Sequence, residues 1–339
     1  MEIKEEVKKI KYAWSFLQKK MVHVNLQLLY DCNFRCTICD FWKEPYRNCE
    51  RLSLEDIKII SEKLKKTGPQ IISIGGGEPL LHQDITSIVK VLSEDHFPVM
   101  ICNGWFMTPE IAKSLFQSGM YEISISLDYA TAEKHDRQRG KKGAFDHAVQ
   151  ALKILNENRI YPHQRVHMIS VIMDDNLEEI EKLIQLAKKI GVTYLVTLYS
   201  NNRGKKSNRT PNLDTSKHLL YLKKKFPEFV ALRGYIGKFS EAIENNGIGP
   251  CHAGSNLMNI DSRGNATFCI DHLENPAGNI LKDDLADIVN NLKLQQQNNQ
   301  CRDCWTSCRG SIETLMYGKD KFYNILDYYR MAKNLKVHN

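Results

Sequence analysis

Over its first 200 or so residues the chain alternates short β-branched runs with stretches of helical period. Val22–Tyr30, Ile71–Ile74, Val99–Cys102, Glu122–Leu127, Arg165–Ile172 and Tyr194–Tyr199 predict six strands. Ser53 stands where an N-cap belongs, ahead of Leu54, Ile57, Ile60 and Leu64. Thr108-Pro109-Glu110 sets a cap, a first-turn proline and an acid, and Gly119 stops that helix. Asn176 opens a further helix whose apolar face carries Leu177, Ile180, Leu183, Ile184 and Ala187, with Gly191 at its end. Strands that alternate with helices pair in parallel, so the pattern predicts an α/β fold of six βα units, too few for a closed eight-fold barrel.

Beyond this region the pattern changes. Residues 201–212 read as a polar linker, a helical connector follows to about residue 248, and a cysteine-rich stretch spans about Gly249 to Gly310. The expected division is an N-terminal helix (1–21), an α/β core (22–200), linker and connecting helices (201–248), the cysteine-rich domain (249–310) and a C-terminal helix (311–339).

Composition narrows the class. A length of 339 residues suits about two domains, and 42% hydrophobic residues supply a sizeable core. The N-terminal Met1–Lys9 is charged and has no signal-peptide segment, and no run nears the roughly 18 apolar residues of a spanning helix. The expectation is a cytoplasmic protein with neither a membrane nor a nucleic-acid partner. The net charge of +7 is modest, and basic runs such as Arg203–Arg209 lack interleaved aromatics and read as solvated surface. In that compartment ten cysteines point to metal or cluster ligation instead of disulfides.

Two cysteine arrays carry the chemistry. Cys32, Cys36 and Cys39 form C-x3-C-x2-C directly after the first predicted strand. Three thiolates can hold three irons of a [4Fe–4S] cube and leave the fourth iron without a protein ligand. A zinc knuckle needs a fourth N/S ligand, and none stands nearby. The second predicted strand runs into Gly75-Gly76-Gly77-Glu78-Pro79, where glycines permit close backbone approach to a ligand and a carboxylate can accept from an ammonium group. In the second array Cys251-x12-Gly264-x4-Cys269 precedes Cys301-x2-Cys304, and Cys308 follows. A four-cysteine zinc site is the alternative there, since zinc and iron–sulfur sites share thiolate ligands. Cys49 and Cys102 read as small hydrophobes.

The first array and the Gly-Gly-Glu-Pro run resemble the radical S-adenosylmethionine (SAM) superfamily, and the second array resembles its SPASM/Twitch extension. The resemblance implies an open, partial (β/α)6 TIM-like barrel followed by a small cysteine-rich domain. It implies that SAM binds the unique iron and is reductively cleaved to a 5′-deoxyadenosyl radical that abstracts a substrate hydrogen atom. Gly75, Gly76, Gly77 and Glu78 would hold the amino group of SAM, and Ile38 would lie near its adenine. Asn103 matches the family's Asn-Gly, while Ser124, Ser126 and Asp128 end the fourth strand, where a hydroxyl would meet the ribose or carboxylate. Arg139 matches the arginine for the SAM carboxylate, with Arg137 as the fallback. Cys251, Cys269, Cys301 and Cys304 would bind one auxiliary [4Fe–4S] cluster, because this region has too few cysteines for two. Cys308 would be an alternative ligand, a spare thiol or a hydrogen donor.

The implied activity is oxidation of a substrate radical through the auxiliary cluster, with a flavodoxin or ferredoxin as external one-electron donor. The substrate would be a small molecule, such as a sugar or aminocyclitol, or a peptide. Only 31 residues precede Cys32, too few for the leader-binding domain of many peptide maturases, so a leader would need a separate binder. A redox-neutral epimerase or peptide maturase with Cys308 as donor is the alternative enzyme. A non-enzymatic iron–sulfur or zinc protein is the alternative class. Tyr199, Asn201, Arg203 and His252 face the right region on topology alone.

Overall fold

The computed structural model describes residues 2–43, 45, 46, 49–201, 211 and 214–337. Arg203 and most of the 201–212 linker lie outside them. The strands are β1 (His23–Leu29), β2 (Ile71–Gly76), β3 (Phe97–Cys102), β4 (Glu122–Ser126), β5 (Arg165–Ile172), β6 (Thr193–Leu198), β7 (Leu257–Ile260), β8 (Asn265–Thr267) and β9 (Gly278–Asn279). The helices of the first half are α1 (Glu2–Leu17), α2 (Leu54–Lys65), α3 (Ile85–Ser93), α4 (Pro109–Gln117), α5 (Ala132–Arg139), α6 (Ala144–Glu157) and α7 (Ile180–Ile190). Those of the second half are α8 (Thr215–Lys225), α9 (Arg233–Ile236), α10 (Phe239–Glu244), α11 (Leu285–Gln297), α12 (Ser307–Met316) and α13 (Lys321–Val337).

Local chemistry sets several helix ends. Ser53 and Asp56 form a reciprocal capping box at the start of α2. The Thr108 hydroxyl accepts from the Ile111 amide at 3.3 Å, and Pro109 fills the first turn of α4. Gly191 takes φ +85° after α7. Asn176 departs from the expected cap. Its Oδ1 accepts from the Met173 amide and its Nδ2 donates to the Val171 and Asp128 carbonyls, so it braces the loop after β5, and a 3-10 turn (Leu177–Glu179) precedes α7.

All strands join one sheet of order β6-β5-β4-β3-β2-β1-β7-β8-β9. The first six are parallel, with α-helices between them, as the alternation predicts. The strand pattern left the cysteine-rich region apart, but β7 pairs in parallel with β1, from His23 opposite Leu257 to Leu26 opposite Ile260. β8 and β9 then continue antiparallel. With a neighbour on each edge, every residue of β1 is buried. Val24, Leu26 and Leu28 face the helices in the main core, and by strand alternation His23, Asn25 and Gln27 face the interior of the open barrel.

At the far edge the Tyr194 amide donates to the Glu228 carbonyl and the Val230 amide to the Tyr194 carbonyl, which covers part of the free edge of β6. The single terminal helix expected over 311–339 is two helices, α12 and α13. The break follows Tyr317, where a side chain on Gly318 would lie 2.3 Å from the Thr314 carbonyl oxygen. Cys308 therefore stands in the first turn of a helix. Among the described residues no helix is long and apolar enough to cross a membrane.

Candidate functional site

The loop after β1 carries Cys32, Cys36 and Cys39, and the C-terminal end of α5 holds its backbone. The Arg35 amide donates to the Arg139 carbonyl at 3.3 Å and the Thr37 amide to the Gln138 carbonyl at 2.8 Å. Gly140 caps α5 at φ +61°, and a Cβ there would stand 2.5 Å from the Arg35 carbonyl oxygen. Glycine therefore lets helix end and cysteine loop touch. Ile38 is buried among Phe34, Cys36, Tyr129, Ala144 and Met173, with Cys32 and Cys39 at the margin of this cluster. Burial pushes the Cys32 thiol up to about 12 and raises Cys36 against the pull of Arg139. Both thiols keep their protons until a cation compensates the lost hydration.

Beside this loop ends β2. The Gly77 amide donates to the Leu29 carbonyl at 2.7 Å, and that of Glu78 to the Asp31 carbonyl at 2.9 Å. Cβ atoms on Gly76 and Gly77 would lie 2.1 Å from the Leu29 oxygen and 2.0 Å from the Asp31 oxygen. These two glycines are therefore required for contact with the chain leading into the cysteines, where sequence reasoning gave the reason as approach to a ligand. A Cβ on Gly75 would make only ordinary van der Waals contact, with the Gln27 side chain at 3.8 Å.

Glu78 is 1% exposed. One carboxylate oxygen accepts from the Leu80 amide at 3.2 Å and the other from the Asn103 amide at 2.9 Å. Burial outweighs these bonds and pushes its carboxyl up to about 7. The Asn103 side chain donates to Asn33 Oδ1 and accepts from the Trp105 amide, tying the end of β3 to the cysteine loop.

Arg139 is buried on Asp128 at 2.5 Å, and its charge acts on the nearby Cys36 thiol. The other Asp128 oxygen accepts from the Val171 amide at 2.8 Å. Asp128 is fully buried, with both oxygens engaged by protein, so it anchors Arg139 where the sequence suggested a cofactor contact. Ser124 is buried and Ser126 half-buried on the same strand. Arg137 is exposed and lies 4.0 Å from Glu133 on its own helix.

These contacts suit SAM. Arg139 Nε is buried without a partner among the described residues, which leaves one donor for a carboxylate. The apolar bed around Ile38 suits a purine, and the lone pairs remaining on Glu78 suit an ammonium group. The residues fit.

The second array closes on one cavity, lined by Cys251, Cys269, Cys301, Cys304 and Cys308 and also by Asn25 of β1. Burial pushes Cys251 up to about 12 and Cys304 up to about 11, with Arg309 opposing both. Arg309 donates to the Cys304 carbonyl at 2.7 Å and to Glu313 at 3.1 Å. Cys308 Sγ lies 3.4 Å from Thr306 Oγ1. A tetrahedral zinc site would draw its sulfurs to about 3.8 Å from one another, given Zn–S distances of about 2.3 Å. Among the described residues the group of His, Cys, Asp or Glu ligand atoms drawn together within 4.8 Å is His272, Cys301 and Asp303, with no trio of cysteines. Thiols spread around a cavity fit an iron–sulfur cube, whose ligands stand one to a corner.

Sequence reasoning missed Asn25, Arg309 and His272. Asn25 and Arg309 carry no signal without the fold, but His272 lies three residues after Cys269, at ligand-like spacing. His252 stacks on Tyr317 at 3.9 Å beside Glu313, in a structural setting. Tyr199 and Asn201 line a second cavity that shares Asp303 and Cys304 with the first.

Comparison with known proteins agrees with this geometry. The radical SAM superfamily profile matches residues 26–187, and that of an iron–sulfur cluster-binding (SPASM) domain matches residues 251–309. The mycofactocin maturase MftC of Mycolicibacterium smegmatis is 29% identical over 308 residues, covering 84% of this chain and 76% of its own. The AdoMet-dependent heme synthase of Methanosarcina barkeri is 29% identical over 191 residues, covering 56% of this chain. The match spans 54% of that synthase, less than two thirds of its length. Among solved structures, Streptococcus suis SuiB bound to precursor peptide SuiA superposes with a TM-score of 0.67 at 17% identity, over 83% of this chain and 68% of its own. Native anSMEcpe with bound AdoMet gives 0.66 at 16% identity, over 94% and 99%. Both likenesses concern the fold. A three-cysteine loop on an open parallel barrel and a second cysteine cavity fused to the same sheet match both profiles in order, and the chain belongs to the radical SAM superfamily as a SPASM-type enzyme.

Proposed function

We propose that the chain oxidises a peptide substrate by radical SAM chemistry, with one auxiliary [4Fe–4S] cluster as the electron acceptor. The observation that carries this reading is the sharing of β1. Cys32 follows the C-terminal end of that strand, and Asn25 within it lines the auxiliary cysteine cavity. At about 3.3 Å per residue the two lie no more than about 23 Å apart along the chain, so a substrate in the barrel can face both sites.

When bound, the first cluster and SAM supply hydrogen-atom abstraction. Cys32, Cys36 and Cys39 would hold the cluster. Glu78 would accept from the ammonium of SAM, Arg139 would donate through Nε to its carboxylate, and Ile38 would shield its adenine. Ser124 or Ser126 would meet the ribose, while Gly76, Gly77, Asn103 and Asp128 hold these groups in place. Cys251, Cys269, Cys301 and Cys304 would bind the auxiliary cluster. A flavodoxin or ferredoxin would serve as the external one-electron donor. Support for a peptide over a sugar comes from MftC, the maturase whose match spans both domains, and from the SuiB fold, solved with a precursor peptide.

A second reading, redox-neutral modification, is favoured by Cys308, which lines the auxiliary cavity as a fifth thiol. The test incubates the reduced, iron-loaded protein with SAM and candidate peptides, and reads 5′-deoxyadenosine and peptide mass together. Oxidation predicts loss of two hydrogens from the peptide. Unchanged mass in ordinary water, with one deuterium gained in heavy water, would select the redox-neutral reading, and no peptide-dependent 5′-deoxyadenosine would remove the peptide proposal.

A further inference from the structure

We propose that His272 is a positioning residue of the auxiliary site: its Nε2–H holds the Cys301 sulfur by an N–H···S hydrogen bond and makes that cluster easier to reduce. The inference rests on the reading of Cys301 as a cluster ligand. His272 Nε2 lies 3.7 Å from Cys301 Sγ and 3.9 Å from Asp303 Oδ2. A thiolate and a carboxylate are both acceptors only, so the nitrogen that faces both carries the hydrogen.

The ring is held from its own side of the cavity. It stacks on Phe268 with centroids 5.3 Å apart and planes 23° apart. Its backbone amide donates to the Cys269 carbonyl at 3.4 Å, in an isolated bridge between the two residues. The short turn after β8 thus presents one thiol and, three residues on, a donor to a thiol from another segment. Cys301 is fixed in turn, since its amide donates to Asn299 Oδ1 and its carbonyl accepts from the Cys251 amide at 3.2 Å. Reduction adds negative charge that spreads onto the thiolates. A donor on one sulfur therefore stabilises the reduced cluster more than the oxidised one.

His272→Phe keeps the stack on Phe268 and removes the N–H, while His272→Gln keeps a donor. The iron-loaded enzyme is titrated with reductant, and the auxiliary signal is taken as the one that does not respond to SAM. Full iron content with a more negative auxiliary potential in His272→Phe, recovered in part by His272→Gln, is the expected result. An unchanged potential overturns the proposal. Loss of auxiliary iron in His272→Phe also overturns it, by making His272 a ligand. So does an additional equivalent of zinc, absent from His272→Phe, because the trio with Cys301 and Asp303 would then be a mononuclear site. If the variants fail to fold, pulsed electron spin resonance of the reduced wild-type enzyme decides. A weak histidine nitrogen coupling supports the hydrogen bond; none, or one of ligand strength, ends it. Cys301→Ala tests the underlying reading separately, for retention of all auxiliary iron there shows that Cys301 is no ligand, whatever His272 does.

Discussion

Glu78 concentrates the residue-scale argument. Its carboxyl is pushed up to about 7 because burial outweighs two backbone N–H donors. A folded value above the unfolded one contributes stability that is fully present below about 4.5 and is lost as pH rises through about 7. The shift is worth roughly 3 kcal/mol in the metal-free chain. Denaturation midpoints should fall between about pH 5 and pH 8, and Glu78→Gln should remove most of that fall. Under the proposed role of Glu78, SAM would reverse the logic, because an ammonium held there requires the carboxylate. Affinity of the iron-loaded protein should rise with pH up to about 7, with a proton released on binding, and calorimetry in buffers of different ionisation enthalpy reads that proton. The glycines beside it offer an internal control. Gly77→Ala drives a Cβ into the Asp31 carbonyl, whereas Gly75→Ala meets nothing nearer than 3.8 Å. Thermal melts should show the first destabilised by more than about 2 kcal/mol and the second within about 0.5 kcal/mol of wild type.

At the scale of elements, the cysteine loop depends on α5 as much as on β1. Replacing Cys32, Cys36 and Cys39 together by alanine should remove about four irons per chain and all SAM cleavage. Gly140→Ala should act on the same loop from outside it. The new Cβ would press on the Arg35 carbonyl at 2.5 Å, so SAM cleavage should fall while the auxiliary signal stays intact. α12 makes the matching statement for the second array. Cys308 sits in its first turn, next to the buried Arg309 that reaches Cys304. Cys308→Ala should keep all auxiliary iron if Cys251, Cys269, Cys301 and Cys304 are the ligands. Loss of about four irons would make Cys308 a ligand in place of one of them.

For the whole molecule, β1 is the common support. It lies between β2 and β7, its C-terminal end leads into the first cysteines, and its middle lines the second cavity. Ending the chain before β7 would leave a buried apolar strand as an open edge. Such a truncation should aggregate even with SAM and iron supplied, whereas the full chain stripped of iron should stay folded. Light scattering and circular dichroism compare the two. The auxiliary region is thus part of the core sheet as well as a site for metal.

What the sequence determined by itself was local. Six strand runs, the Ser53 and Thr108 caps, and cysteine spacings dense enough to mark two sites were all legible, because periodicity, capping and ligand spacing act over a few residues. The site was legible in its residue types, with Glu78, Arg139 and Ile38 each placed by motif. Only the tertiary structure decided what each of them touches. Gly76 and Gly77 serve contact with the chain leading out of β1, Asp128 serves Arg139, and Asn103 ties the end of β3 to the cysteine loop. Pairing of β7 with β1 joins residues more than two hundred positions apart, and no pattern along the chain encodes which edge a short strand will meet. His272 acquires its meaning in the same way, through the Cys301 thiol that approaches it from another segment.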